Sequence, residues 1–184
     1  FEMRNSTIGL IVFGTIARLV ARKLYMFDVD ILVYDPFVHN TDEDMMAYHC
    51  KKVPLDVLLK TSDYISLHAR SNQIQPLLDK EQLDLLKPTA YLINTARPHL
   101  INNEYLYEIL KTNKIAGAAL DVFMNEPVRK DESILMLDNV TLTNHRGGDT
   151  VNSYSDSPSM VLKEMKKDIA GQKAKFFCNR EAFS

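Results

Sequence analysis

Short, continuously apolar runs alternate along this chain with stretches of helical spacing, and no other feature restricts the fold as strongly. The runs are Thr7–Val12, Ile31–Tyr34, Tyr64–Leu67, Ala90–Asn94, Ile115–Leu120 and Val140–Leu142. Between them, Ile16, Ala17, Val20, Ala21 and Leu24 share one helical face. Leu55, Leu58 and Leu59 do the same after Pro54, as do Leu106, Ile109 and Leu110 after the capping residues Asn102 and Asn103. Strands that do not alternate polar with apolar are covered on both faces, which predicts a parallel sheet between helices. Strand and helix in repeated succession, with right-handed crossovers, predict a doubly wound α/β domain, here over residues 1–150. From Val151 the text turns polar, and Val161, Leu162, Met165 and Ile169 among lysines and acids predict one amphipathic helix ending near Gly171. Residues 151–184 then read as that helix and a tail. At 184 residues and 46% hydrophobic, the chain is no disordered segment.

Charge and cysteine content exclude several classes. A formal charge of -2 and a pI of about 6.2 give no global attraction to nucleic acid. No apolar run approaches the roughly 18 residues that suggest a bilayer span. Cys50 and Cys178 stand far apart, in neither a zinc nor a disulfide pattern, so no metal site is expected and both thiols read as inert. A reducing, aqueous and hence cytoplasmic location is the expectation.

The segment Val12-Phe13-Gly14-Thr15-Ile16-Ala17 leaves a strand and enters a helix. Gly14 and Ala17 occupy the second and third small positions of a dinucleotide fingerprint, where backbone approaches a pyrophosphate at a helix N-terminus. Val12 replaces the first glycine. Taken alone, an ordinary strand–helix turn meets this pattern equally well. Asp35 adds weight: it ends the next strand about 20 residues on, where a carboxylate can hold the two adenosine ribose hydroxyls. No Arg or Lys follows directly, since Pro36 and Phe37 do, which favours NAD over NADP and argues against another nucleotide.

Four later strings occur in order: DYISLHAR at 63–70, LINTARPHL at 92–100, KIAGAALDVFMNEP at 114–127 and VTLTNHRGG at 140–148. With the 9–17 turn they resemble the nucleotide-binding domain of the D-isomer-specific 2-hydroxyacid dehydrogenases. The resemblance runs from about Thr7 to about Gly171. It implies an Arg, Glu and His catalytic set at Arg97, Glu126 and His145. It also implies NAD contacts at Gly14, Thr15, Ile16, Asp35, Ala69, Thr95, Ala96, Asp121, Gly147 and Gly148, with Asp121 orienting the nicotinamide carboxamide. A second, substrate-covering domain, a homodimer and a small 2-hydroxy or 2-oxo acid substrate are implied too. The chain opens on Phe1 and enters a strand at once, so it reads as the cofactor part of a longer dehydrogenase, poorly active by itself.

These residue types suit the reaction. Reducing a 2-oxo acid needs a hydride at carbon and a proton at oxygen. An imidazole can give the proton, and a carboxylate beside it keeps that acid loaded. A guanidinium fork can grip the substrate carboxylate. The alternative reading is a non-catalytic, NAD-sensing interaction module of the corepressor type, which resembles the same family. Against the family pattern, Arg70 and Asn144 replace prolines, and Pro98 replaces a glycine and biases Arg97 toward extended backbone. His68 reads as structural, His39, His49 and His99 as surface residues. Met45-Met46 and Phe176-Phe177 read as packing or interface surface.

Overall fold

A computed structural model describes residues 2–70 and 75–173. In chain order its elements are β1 (Thr7–Ile11), α1 (Thr15–Leu24), β2 (Asp30–Tyr34), α2 (Glu43–Ala47), β3 (Lys51–Lys52) and α3 (Leu55–Thr61). There follow β4 (Tyr64–Leu67), α4 (Lys80–Leu83), β5 (Tyr91–Asn94), α5 (Asn103–Lys111), β6 (Gly117–Leu120), β7 (Val140–Leu142) and α6 (Val151–Ile169). The seven strands form one sheet in the order β3-β2-β1-β4-β5-β6-β7, and every pairing is parallel. The expected doubly wound α/β domain is therefore present. It has one strand more than the six apolar runs announce.

Alternation along β1 shows why both faces need helices. Side chains of Ile8 and Leu10 join Ala17 and Ala21 of α1, Val33 and Met45 in one buried cluster. Ile11 points the other way, into a larger cluster with Leu58 and Leu59 of α3, Leu92, Leu106 and Ile109. Gly9, on that second face, lies so close to α3 that a Cβ would meet the Leu58 side chain, with Cγ at 2.8 Å and the Ser62 hydroxyl at 2.6 Å. Reversal of strand order occurs at β1, between β2 and β4, and open α/β sheets bind ligands at the carboxyl ends of strands there.

The chain divides into two compact units, Phe1–His145 and Arg146–Ser184. In the second, Thr150 caps α6 by accepting from the Ser153 N–H (3.0 Å), while the Ser153 hydroxyl accepts from the Thr150 N–H (3.1 Å). Gly171, at φ 66°, closes the helix. Met45 is buried and Met46 exposed. His39 and His49 are exposed and His99 half-buried. Burial pushes the Cys50 thiol up to about 11, so it is protonated at neutral pH, as expected of an inert cysteine. Cys178 and Phe176-Phe177 lie outside the described residues.

Candidate active site

The turn after β1 carries an unusual backbone. Val12 sits at φ 71°, in the left-handed region that a β-branched side chain rarely enters. The first glycine of the fingerprint is used for this tight turn, and here a valine holds the same conformation. Its N–H donates to the Tyr34 carbonyl at 2.8 Å, which fixes the turn against β2. An expected result follows. At an ordinary position Gly is less stable than Ala, but Val12→Gly should exceed Val12→Ala by about 1 kcal/mol in urea unfolding. The reverse order would mean that the turn relaxes out of the left-handed region.

Gly14 caps α1 with ordinary φ, and a Cβ there would meet nothing within 4 Å. The chain's own packing thus gives no reason for glycine, and an approaching ligand does. No side chain caps α1, so its N-terminal N–H groups and dipole face the open turn, with Thr15 and Ile16 exposed. Asp35 is buried and touches the same turn, its Oδ2 accepting from the Phe13 N–H at 2.8 Å. Its Oδ1 accepts from the N–H groups of Phe37 (2.7 Å) and Val38 (3.2 Å). A carboxylate offers about four acceptor sites. Three are taken, so about one remains for a ribose hydroxyl where the sequence reading allotted two. Turn, helix end and carboxylate together fit a dinucleotide.

Across the switch point, the His68 N–H donates to the Ile11 carbonyl at 2.9 Å and Ala69 is buried. The His68 Nε2 is buried with no hydrogen-bond partner among the described residues. Burial pushes the imidazole down to about 4, so it is neutral near pH 7.

Arg97, Asp121, Glu126 and His145 all follow the carboxyl ends of β5, β6 and β7, three adjacent strands. The outer two are about 10 Å apart by ordinary strand spacing. Arg97 is extended, at φ -148° and ψ 141°, immediately before Pro98, as the X-Pro constraint requires. The buried Asn94 amide shapes this loop. It donates to the Arg97 carbonyl (2.9 Å), and its oxygen accepts from the Ala96 N–H (3.0 Å). Sequence reasoning missed Asn94; a polar residue closing an apolar strand was the available signal. Arg97 donates from Nη1 to the Ala96 carbonyl at 2.6 Å. Among the described residues no carboxylate lies within ion-pair distance of it. Arg97 and Thr95 are exposed and Ala96 half-buried.

Asp121, 4% exposed, ties the three strand ends together. Its N–H donates to the Asn94 carbonyl (3.0 Å) and its own carbonyl accepts from the His145 N–H (2.7 Å). One carboxylate oxygen accepts from the Thr143 hydroxyl at 2.5 Å. His145 is at φ 57°, a left-handed conformation that His tolerates better than most residues. Its Nδ1 lies 2.8 Å from Glu126 Oε2, and Glu126 Oε1 accepts from the Phe123 N–H at 3.0 Å. The His145 ring, and then the Phe123 N–H, hold the Glu126 carboxyl below its ordinary value. An ionised Glu126 accepts from Nδ1–H, so the lone pair of the neutral ring is on Nε2. Gly147 and Gly148 are exposed and belong to the second unit, which begins at Arg146. Among the described residues no group of three His, Cys, Asp or Glu side chains is disposed to hold a metal ion.

Residues 1–147 match the model of the D-isomer specific 2-hydroxyacid dehydrogenase family, NAD binding domain. The chain belongs to this family. A Staphylococcus aureus (strain MRSA252) protein named as a candidate 2-hydroxyacid dehydrogenase is 37% identical over 179 residues, covering 97% of this chain and 56% of that protein. The D-lactate dehydrogenase of Lactobacillus jensenii, solved with NAD+, is 27% identical with a TM-score of 0.86, over 98% of this chain and 57% of its own. An acyclic imino acid reductase solved with NADPH and D-Arg is 31% identical with a TM-score of 0.85, over 96% of this chain and 55% of its own. The chain therefore spans little more than half the length of these relatives, and what it represents is the NAD-binding domain of the 2-hydroxyacid dehydrogenase family.

Proposed function

We propose that this chain is the cofactor-binding part of an NAD-dependent oxidoreductase that interconverts small D-2-hydroxy acids and 2-oxo acids. The observation that carries this reading is the 2.8 Å contact between His145 and Glu126 at the strand end that also holds Asp121. A nicotinamide supplies the hydride chemistry when bound. Everything else falls to side chains of the chain. Glu126 anchors Nδ1 and so orients the ring, and His145 Nε2 delivers a proton to the carbonyl oxygen as it gains charge. In the opposite direction the same nitrogen takes the hydroxyl proton. Arg97, with donors to spare beyond Ala96, pairs with the substrate carboxylate. Asp121 accepts from a carboxamide at the ring end of the cofactor, while Thr15, Ile16, Ala69, Thr95 and Ala96 line its path.

Residues 151–184 would then serve a substrate domain. The exposed apolar side chains of Val161, Leu162 and Met165 on α6 support that assignment. A homodimer and a cytoplasmic location belong to the same proposal; among the described residues no helix is long and apolar enough to cross a membrane. An assembled acid–base pair favours the enzyme over the corepressor-type module, which has no need of one. The test is a fluorescence titration with NADH, followed by NADH oxidation with 2-oxo acids of increasing size by the full gene product. Saturable NADH binding and consumption by at least one acid are expected. Binding without consumption of any acid would leave the sensing module as the better reading.

A further inference from the structure

One solved relative holds NADPH and another NAD+, so this fold accepts either dinucleotide and the choice falls to side chains near the end of β2. Asp35 is one of them. A second group lies one turn into α1. The Arg18 guanidinium meets Asp42 in a two-pronged pair, Nη1 to Oδ1 at 2.5 Å and Nη2 to Oδ2 at 2.7 Å, and Nη1 also reaches Asp44 Oδ2 at 2.9 Å. Its Cζ stands 4.9 Å from the centre of the Phe13 ring, and the Phe13 N–H is the one bonded to Asp35. Asp42 caps α2 through the N–H groups of Asp44 and Met45. The 36–41 loop is thus clasped at both ends, by Asp35 at its start and by Arg18 through Asp42 at its finish. Lys52, on β3, is likewise committed, donating to the Val38 carbonyl at 2.6 Å. The pair with Arg18 holds the Asp42 carboxyl below its ordinary range.

A 2′-phosphate is bound where an arginine near the end of the second strand is free to meet it. Here the arginine closest in sequence to the phosphate turn spends both prongs of its fork on carboxylates, those of Asp42 and Asp44. We propose that the Arg18–Asp42–Asp44 clamp is a determinant of NAD over NADP selectivity, acting by sequestering the guanidinium that would otherwise pair with a 2′-phosphate. This rests on the reading of the β2 edge as the adenosine end of a dinucleotide site.

The test compares NADH and NADPH titrations of the wild-type chain with those of Asp42→Asn/Asp44→Asn. Asn caps helices about as well as Asp, so α2 keeps its cap in the variant. A released guanidinium gains a charge-assisted contact worth about tenfold or more in affinity. NADPH affinity should rise by that factor while NADH affinity stays within about threefold, and adding Arg18→Gln should erase the gain. An unchanged NADPH-to-NADH ratio in a double variant with native circular dichroism overturns the proposal. So does a gain that survives Arg18→Gln, since the guanidinium would then play no part. If the double variant does not fold, Asp42→Asn alone, which breaks the two-pronged pair and leaves only the Asp44 contact, should give a smaller gain of the same sign; no gain overturns the idea. Wild-type protein that binds neither dinucleotide overturns the cofactor site itself, an outcome distinct from an unmoved ratio.

Discussion

Turnover by His145→Ala should fall by about a hundred- to ten-thousandfold in kcat, with NADH affinity within about threefold of wild type. Its ring is the proton carrier in the proposed reaction, and the Glu126 contact at 2.8 Å leaves Nε2 as the working nitrogen. His145→Asn is the companion variant, because Asn tolerates the left-handed backbone at φ 57° and separates loss of the acid from loss of the turn. Both variants should be comparably impaired. Undiminished kcat in either would remove His145 from proton transfer and, with it, the reason for Glu126.

The second large effect concerns the sheet. Gly9→Val should destabilise the domain by about 3 kcal/mol or more in chemical unfolding, beyond an ordinary overpacking cost of about 1–3 kcal/mol. A first carbon at position 9 already collides with Leu58 and the Ser62 hydroxyl, and valine adds two methyls on a stiff χ1. β1 lies between β2 and β4, so it cannot shift without disturbing both neighbours. Since domains of this kind are stable by only about 5–15 kcal/mol, such a loss would show at once in the unfolding midpoint. A change below about 1 kcal/mol would mean that α3 moves away freely.

Much of this architecture could be read from apolar runs alone, because β1, β2, β4, β5 and β6 are buried enough to need apolar residues, and the edge strand β7 still half-buries Val140 and Leu142. β3 could not: Lys51–Lys52 is a two-residue charged edge strand with no period to detect. The strand reading also ran long at Val12, which leaves β1 for the left-handed turn, and at Ile115, which precedes β6. α2 and α4 are too short for a helical stripe, and their capping residues Asp42 and Asp79 are the signal that was passed over. In the site, residue types and order were legible for Arg97, Glu126 and His145, but contact was not. Glu126 and His145 are brought together by adjacent strand ends, which no local pattern encodes. The same holds for Arg18, whose partners lie 24 and 26 positions away in the chain. Asp35 was recognised as a candidate, whereas its three backbone donors depend on how the loop folds back.

The backbone of His145 is anchored to Asp121, not to the stretch that separates them in sequence. A change of length between Pro127 and Ser133, ahead of the core-packed Ile134 and Leu137, would therefore leave the bond that positions His145 in place. That short stretch is where an engineer could graft a new segment with least disturbance to the proposed acid–base pair.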